Sequence, residues 1–231
     1  MREIVMDTET TGLDPLSGHR IIEIGAVELE NHLPTGKTFH FFINPERDVP
    51  HEATSVHGIR TEDLLDKPKF SEIADHFLDF IQNAPLIIHN AAFDVSFLNA
   101  ELHKIGYKKI DNAKVIDTLS LARKKFPMGP NSLDALCRRY GIDNSKREKH
   151  GALLDSELLA AVYIELIDAR QPGLSLEVEA KPQQKLELKT KSVNVRRPSK
   201  LKQRITEEDQ VKHEEKIRNM KSQRLWNLYR N

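Results

Sequence analysis

Hydrophobic and polar positions near the N-terminus follow the spacing of β-strands. The run 4–6 (Ile-Val-Met) is apolar throughout, which is typical of a strand covered on both faces. The stretches 20–29 and 38–43 alternate between apolar and polar residues, and Pro34-Thr-Gly36 predicts the turn between them. Three strands joined by short connections predict an antiparallel meander.

Helical spacing takes over in the middle of the chain. Residues 44–60 are predicted as a loop, and Thr61 as the start of a short capped helix. Apolar residues then recur every three or four positions in four segments, 70–81, 97–105, 132–140 and 153–167, with short apolar strands at 86–88 and 115–117. This order predicts an α/β fold, a mixed sheet with helices on both faces.

The composition changes after Pro172-Gly173. Residues 177–204 are polar, basic and almost free of aromatic side chains, which predicts a flexible linker. A helical pattern resumes at Thr206, and the chain closes on Leu225-Trp226, which includes its only tryptophan. We therefore expect three parts: a folded domain at 1–170, a basic linker at 171–205 and, because of its apolar end, a docking segment at 206–231.

The net charge of zero hides an uneven distribution. Residues 181–231 carry 15 Lys and Arg against 6 Asp and Glu, which leaves 20 against 29 for residues 1–180. An acidic body does not suggest a general nucleic-acid binder, but carboxylates committed to metal would inflate that count. With 231 residues, 39% of them hydrophobic, the chain can form one sizeable core domain and an appendage.

Targeting signals and cysteine usage add two expectations. No apolar run approaches the length of a membrane span and no signal peptide precedes the first strand, so a cytoplasmic protein is expected. The single Cys137 cannot form an intrachain disulfide, and its helical spacing from Leu133 and Leu136 predicts a core position.

Two acids at the end of the first strand carry the clearest chemical signal. Asp7 and Glu9 are two positions apart, so their side chains should point to the same side of the strand. Like charges held that close repel and are costly to desolvate, and a divalent cation would neutralise them. A solvated turn with incidental acids is the alternative.

Two later segments place further acids at the ends of elements. Asp94 falls in a first helical turn after a strand, and Asp155 falls early in the last helix of the body, with His150 in the loop before it. Either acid could simply favour its helix N-terminus, and His150 could be a surface histidine. Asp117, at another strand end, is interpreted as structural. The joint pattern favours one shared site.

Three strings in this set resemble a known family. Asp7-Thr-Glu9, Asn90-Ala-Ala-Phe-Asp94 and His150-x4-Asp155 resemble the three motifs of the DEDDh exonucleases, and the match runs through residues 1–170. The resemblance implies a ribonuclease-H-like fold. It also implies two divalent ions, Mg²⁺ or Mn²⁺, held by the four acids, with His150 as the general base for 3′–5′ hydrolysis to 5′-mononucleotides.

The same resemblance implies residues that contact the substrate. Those similar to the family's terminal-nucleotide pocket are Thr8, Leu13, Val56, His57 and Phe93, and Asn90 resembles a residue near the scissile strand. These assignments also fit ordinary core or loop residues. Such a site would take single-stranded or frayed DNA 3′ ends without reading sequence.

The longer strings resemble the proofreading members that serve bacterial DNA polymerase III, which implies protein partners. Leu225 and Trp226 would dock on the polymerase alpha subunit. The segment with Gln171, Leu174 and Leu176 resembles peptides that bind the beta sliding clamp, and a small theta-like subunit is possible. A helix-terminating turn and a disordered tail bound to DNA phosphates are the alternatives.

Two rival functions remain open at this point. An exoribonuclease that trims RNA 3′ ends could use the same four acids, because recognition of the 2′ position lies outside the motifs. A non-catalytic adaptor between polymerase and clamp is the rival of another class, although all five catalytic-type residues are intact.

Overall fold

The computed structural model describes residues 1–145, 147, 149–169 and 206–219. The chain divides into two compact units, Met1–Ser175 and Leu176–Asn231. In the second unit the described part is one helix, α7 (Glu207–Asn219), with acids in its first turn and basic residues in its last. That agrees with the helix predicted from Thr206. The predicted linker, Gln171, Leu174, Leu176, Leu225 and Trp226 lie outside the described residues.

A five-stranded sheet forms the centre of the first unit, in the order β3-β2-β1-β4-β5. Its strands are β1 (Arg2–Thr10), β2 (Ile21–Glu30), β3 (Leu33–Phe42), β4 (Leu86–Ile88) and β5 (Val115–Asp117). Strands β1, β2 and β3 pair antiparallel, whereas β4 pairs parallel with both β1 and β5. The predicted meander within a mixed sheet is confirmed.

The described residues of the same unit form six α-helices: α1 (His51–His57), α2 (Phe70–Ile81), α3 (Ala92–Lys104), α4 (Thr118–Lys125), α5 (Leu133–Tyr140) and α6 (Ala152–Leu166). Two cores lie on opposite faces of the sheet. Ile4 and Met6 pack with residues of α2 and α3, and Val5 packs with residues of α4, α5 and α6. Successive side chains of β1 therefore alternate between the two cores, as expected for a strand covered on both faces.

The turn between β2 and β3 was predicted in the wrong place. It lies at Asn31 and His32, whose φ values of 51° and 63° suit the tight turn of a hairpin. The predicted turn residues Pro34–Gly36 belong to β3. The pairing of β2 with β3 shifts register between Val27 and Leu29, and this irregularity accommodates the extra residues without ending the strand.

Two short helices were missed in the sequence. Helix α1 lies in the segment predicted as a loop, and His57 is its one buried residue, so no hydrophobic period marks it. Its signals are Pro50 before the first residue and Gly58, at φ 81°, after the last. Helix α4 is only eight residues long and is capped by Asp117, whose side chain accepts from the backbone N–H of Leu119 at 3.0 Å.

Two further observations concern the core and the membrane. Cys137 is fully buried on α5, in agreement with its predicted core position. Among the helices that the structure describes, none combines the length and the apolar character that crossing a bilayer would require.

Candidate active site

Strand β1 presents its two acids to one face of the sheet. Asp7 and Glu9 share the side of Val5, towards α6, because side chains alternate along the strand. The strand was predicted to end at the acids. It continues instead to Thr10, and Glu9 still pairs with Glu23 of β2. Both acids therefore stand on rigid, hydrogen-bonded backbone rather than in a loop.

Asp94 approaches the same place from the first turn of α3. It is buried, and the Thr8 hydroxyl donates to its Oδ1 at 2.7 Å from the opposite face of β1. The preceding turn contains Asn90 at φ 64° and is held by Asp117, whose Oδ1 accepts from the backbone N–H groups of Asn90 at 3.0 Å and Ala91 at 3.4 Å. Asp117 is thus a structural residue that fixes the turn before Asp94.

Asp155 is brought to β1 by a close approach of α6 to β2. A Cβ on Gly25 would lie 2.2 Å from the carbonyl carbon of Ala152, so only glycine allows this contact. The Ser156 hydroxyl donates to the Gly25 carbonyl at 2.9 Å, and Glu23 Oε2 accepts from the Ala152 N–H at 3.2 Å. Gly25 pairs with Asp7 in the sheet, which places the start of α6 beside the first acid.

Arg147, in the loop before α6, binds two acids of this region. Its Nε and Nη2 donate to the two carboxylate oxygens of Asp155 at 2.5 and 2.7 Å, and its Nη1 donates to Asp134 Oδ2 at 2.9 Å. Nη2 also lies 2.8 Å from Nδ1 of His150. The Arg147 side chain is only 8% exposed, so this is a buried, bidentate ion pair rather than a surface contact.

His150 lies in the loop before α6, as predicted, with its side chain half exposed. Its Nδ1 is 3.4 Å from Asp155 Oδ2, and its backbone N–H donates to the Val56 carbonyl at 3.4 Å. Ligand atoms of Glu9, His150 and Asp155 lie within 4.8 Å of one another. A single cation could therefore contact more than one of these side chains.

The four acids and His150 line one cleft of about 800 Å³. Burial is the largest cause that raises the pKa of Glu9 to about 8, followed by the charges of Glu23 and Asp155. Burial also raises the pKa of Asp94 to about 7. The pKa of Asp7 is raised well above its usual range, first by burial and then by the charges of Asp94 and Glu9. The raised pKa values show that too little positive charge lies nearby to stabilise all of these acids in their ionised form.

The donor set fits divalent cations. Four carboxylates face one cleft, and Arg147 supplies a single positive charge among them. Carboxylate oxygens are the ligands that Mg²⁺ and Mn²⁺ prefer, and two such ions would offset the remaining charge. Asp7, Glu9, Asp94 and Asp155 are the residues that would hold them.

The residues predicted for the terminal nucleotide lie beside this cleft. A second cavity of about 620 Å³ is lined by all five of them, Thr8, Leu13, Val56, His57 and Phe93. Leu13 is 86% exposed and Val56 49% exposed, so neither belongs to the core. His57 is buried and its Nδ1 accepts from the Ile59 N–H at 3.0 Å. Asn90 lines the acidic cleft instead.

Two residues of the site were missed in the sequence. Arg147 stands three positions before His150, in a basic run whose charges read as a solvated loop. Glu23 lies in an alternating strand, where an acid is expected to face solvent, yet it is buried against the start of α6 and within 2.7 Å of His40 Nε2. Nothing local distinguishes Glu23 from the exposed Glu30 of the same strand.

Comparison with known proteins gives one consistent group of relatives. A family of exonucleases matches residues 4–163. The DNA polymerase III subunit epsilon of Rickettsia prowazekii is 50% identical over 221 residues, covering 94% of this chain and 96% of that protein. The DNA polymerase III subunit epsilon of Escherichia coli K12 is 48% identical over 224 residues, covering 94% and 92%.

Solved structures share the fold at lower identity. The nuclease domain of 3′hExo, a DEDDh family member bound to rAMP, has a TM-score of 0.63 and 21% identity, covering 72% of this chain and 92% of that one. Exonuclease X in complex with 5′ overhanging duplex DNA has a TM-score of 0.57 and 24% identity, covering 71% and 90%.

Proposed function

The chain belongs to the exonuclease family and, within it, to the DNA polymerase III epsilon subunits, and we infer its function from this membership. The protein is a metal-dependent 3′–5′ exonuclease with a proofreading role. It removes the 3′-terminal nucleotide of a DNA strand as a 5′-mononucleotide. The observation that carries this function is the convergence of Asp7, Glu9, Asp94, Asp155 and His150 on one cleft.

We propose that the four acids hold two divalent ions, Mg²⁺ or Mn²⁺. When bound, these ions supply Lewis-acid activation of water and of the scissile phosphate. The chain's own contribution is to fix the ligands. Thr8 orients Asp94 by its hydrogen bond, and the contact at Gly25 sets the position of Asp155. Rigid elements carry all four carboxylates, which favours a fixed coordination geometry.

His150 is proposed as the general base that takes the proton of the attacking water. Arg147 Nη2 lies 2.8 Å from Nδ1 and 3.5 Å from Nε2 of His150, so the guanidinium contacts both nitrogens of the ring.

The cavity with Leu13, Val56 and Phe93 is proposed to receive the terminal base and sugar. Its apolar side chains offer stacking and packing surface without a pattern of base-specific donors. A mispaired end costs less to melt than a paired one, so preference for mismatches requires no recognition of the error itself.

The experiment that tests this function is digestion of matched, mismatched and RNA 3′ ends by the isolated protein with Mg²⁺. We expect 5′-mononucleotides, faster release from mismatched DNA than from matched DNA, and reversible loss of activity on chelation. Asp7→Ala should lose nearly all turnover while remaining folded. Near wild-type turnover in Asp7→Ala would contradict the metal assignment, and faster digestion of RNA would favour the exoribonuclease alternative.

We propose protein partners from the similarity to the DNA polymerase III epsilon subunits. The relatives from Rickettsia prowazekii and Escherichia coli match 94% of this chain, so the likeness extends beyond the exonuclease domain. This supports residues 206–231 as the segment that docks on the polymerase alpha subunit. A small theta-like subunit and a cytoplasmic location remain predictions.

We also propose that the segment containing Gln171, Leu174 and Leu176 binds the beta sliding clamp. Gln171 would supply hydrogen bonds and the two leucines would fill an apolar pocket of the partner. Pull-down of the clamp with the double variant Gln171→Ala and Leu174→Ala tests this. Undiminished binding would return the segment to the role of a turn that ends the preceding helix.

A further inference from the structure

Residues other than the four acids complete the cleft of the proposed nuclease. They include residues of the β4–α3 turn, of α4 and of the loop before α5, namely His89, Leu119, Arg123, Gly129, Asn131 and Ser132. The same cleft therefore brings together the four acids and a cationic side chain of α4.

Arg123 is the cation of α4 that lines the cleft. It is exposed in the last turn of α4, and among the described residues it makes no hydrogen bond or ion pair. The other cations nearby are committed. Arg147 binds Asp155 and Asp134, and Lys125 binds Asp168 Oδ1 at 2.7 Å. Of the two arginines that line the cleft, Arg147 is engaged by carboxylates, and Arg123 is therefore available to bind a ligand.

The wall beside Arg123 is braced. The Arg139 guanidinium lies 4.3 Å from the centre of the Phe126 ring and donates to the Pro130 carbonyl at 3.1 Å. Asn131 Nδ2 donates to the Phe126 carbonyl at 3.1 Å, and a Cβ on Gly129 would lie 2.5 Å from Arg139 Nη2. These contacts hold the 126–131 loop in place as one side of the cleft.

We propose that Arg123 binds a backbone phosphate of the DNA strand upstream of the scissile bond, which makes this part of the cleft a second phosphate subsite. The proposal rests on the proposed nuclease function. A single strand brings one negative charge per nucleotide, and only the scissile phosphate can share cations held by the acids. The next phosphates need a cation from the protein, and arginine offers two parallel donors to phosphate oxygens.

The alternative role for Arg123 is local. A cation in the last turn of a helix interacts favourably with the helix dipole, and such a role would affect stability rather than substrate binding. Lys124 provides a matched control, because it is exposed in the same turn of α4 but does not line the cleft. Arg138, exposed on α5 and also outside the cleft, controls for loss of an arginine.

The test compares Arg123→Gln with Lys124→Gln and Arg138→Gln on two substrates in Mn²⁺. One substrate is oligothymidylate of eight nucleotides, and the other is the p-nitrophenyl ester of thymidine 5′-monophosphate, which has no upstream phosphate. Arg123→Gln should raise KM for the oligonucleotide about tenfold and leave kcat/KM for the ester unchanged. Both control variants should match the wild type on both substrates.

A direct binding measurement makes the test independent of catalysis. Fluorescence anisotropy of a labelled octamer in Ca²⁺ should show that log Kd depends less steeply on log salt in Arg123→Gln, by about 0.7, as expected for one lost contact to single-stranded phosphate. An unchanged salt slope and KM would overturn the proposal, as would an equal loss on ester and octamer. Failure of the wild type to digest the octamer in Mn²⁺ would contradict the nuclease function, and the anisotropy result would still decide the role of Arg123.

Discussion

Arg147 binds Asp155 through two hydrogen bonds, from Nε to Oδ1 at 2.5 Å and from Nη2 to Oδ2 at 2.7 Å. The same Nη2 lies 2.8 Å from His150 Nδ1. One guanidinium therefore contacts both a proposed metal ligand and the ring of the proposed general base. A divalent cation held by Asp155 would compete with Arg147 for the carboxylate oxygens, and displacement of Arg147 would remove its contact with His150.

Replacing Arg147 with Gln should make the protein more dependent on metal for stability. Removal of one partner of a buried ion pair leaves the other charge uncompensated, which costs ~3 kcal/mol. We expect the melting temperature in EDTA to fall in Arg147→Gln, and the increase on addition of Mn²⁺ to exceed that of the wild type. Arg138→Gln is the control. An equal fall with and without Mn²⁺ would mean that Arg147 does not compete with the cation.

Replacing His150 with Ala should lower turnover more than DNA binding. General acid–base catalysis contributes ~10²–10⁴-fold in rate, so a loss in that range is expected in single-turnover digestion of a labelled strand. The octamer should retain its affinity in Ca²⁺. Added imidazole should restore part of the rate in His150→Ala, because it replaces the missing base. Lack of any rescue, together with weakened Mn²⁺ binding, would identify His150 as a ligand or a loop anchor instead.

The stability of the chelated protein should fall as pH rises towards 8. Folding raises the pKa of Glu9 from its ordinary value of 4.5 to about 8, so between these values the folded state holds a proton that the unfolded state has lost. The stabilisation from Glu9 is therefore full below pH 4.5 and disappears as pH rises through 8. Urea unfolding in EDTA at pH 5.5 and 8.5 measures the change.

Glu9→Gln removes this titration and provides the comparison. The wild type should lose more stability than Glu9→Gln between the two pH values, and Mn²⁺ should reduce the difference, because bound cations replace the proton. Glu157→Gln, on the exposed side of α6, should follow the wild type. Identical pH dependence in Glu9→Gln and the wild type would show that Glu9 is ionised throughout this range.

Gly25→Ala should separate α6 from the sheet and reduce activity. The added Cβ would lie 2.2 Å from the backbone of Ala152 and Leu153, and overpacking of this kind costs ~1–3 kcal/mol. Displacement of α6 carries Asp155 away from Asp7, so turnover should fall even where the protein remains folded. Gly151→Ala is the matched control, because its Cβ would meet no atom within 4 Å and its φ is −156°. Equal activity of the two variants would refute this role of Gly25.

Loss of residues 206–231, or Trp226→Ala, should weaken binding to the polymerase and leave exonuclease activity on single strands intact. A large aromatic side chain near the end of the chain is a favoured interface anchor. Charge reversal at Arg196 and Arg197 should matter much less. Surface plasmon resonance with immobilised polymerase measures both. Binding that survives removal of the whole segment would favour the alternative, a basic tail whose attachment to DNA depends strongly on salt.

The sequence by itself predicted those features that depend on local pattern. The strand at 4–6, the α2 helix and the strand at 86–88 followed from apolar spacing, because residues that must be buried recur with the period of the element. Asp7 and Glu9 were singled out because side chains two positions apart on a strand point the same way, and the joint pattern with Asp94, His150 and Asp155 then matched family motifs. Short helices that bury few side chains, such as α1 and α4, left no such period.

Only the tertiary structure determined which distant residues complete the site. Arg147 is one of many basic residues until the fold brings it against Asp155 and Asp134. Glu23 faces the start of α6 rather than solvent, because Gly25 lets that helix approach the sheet closely. The physical reason is the same in both cases. A charge is stabilised or destabilised by groups far away in the chain, and packing rather than local sequence determines how close those groups come to it.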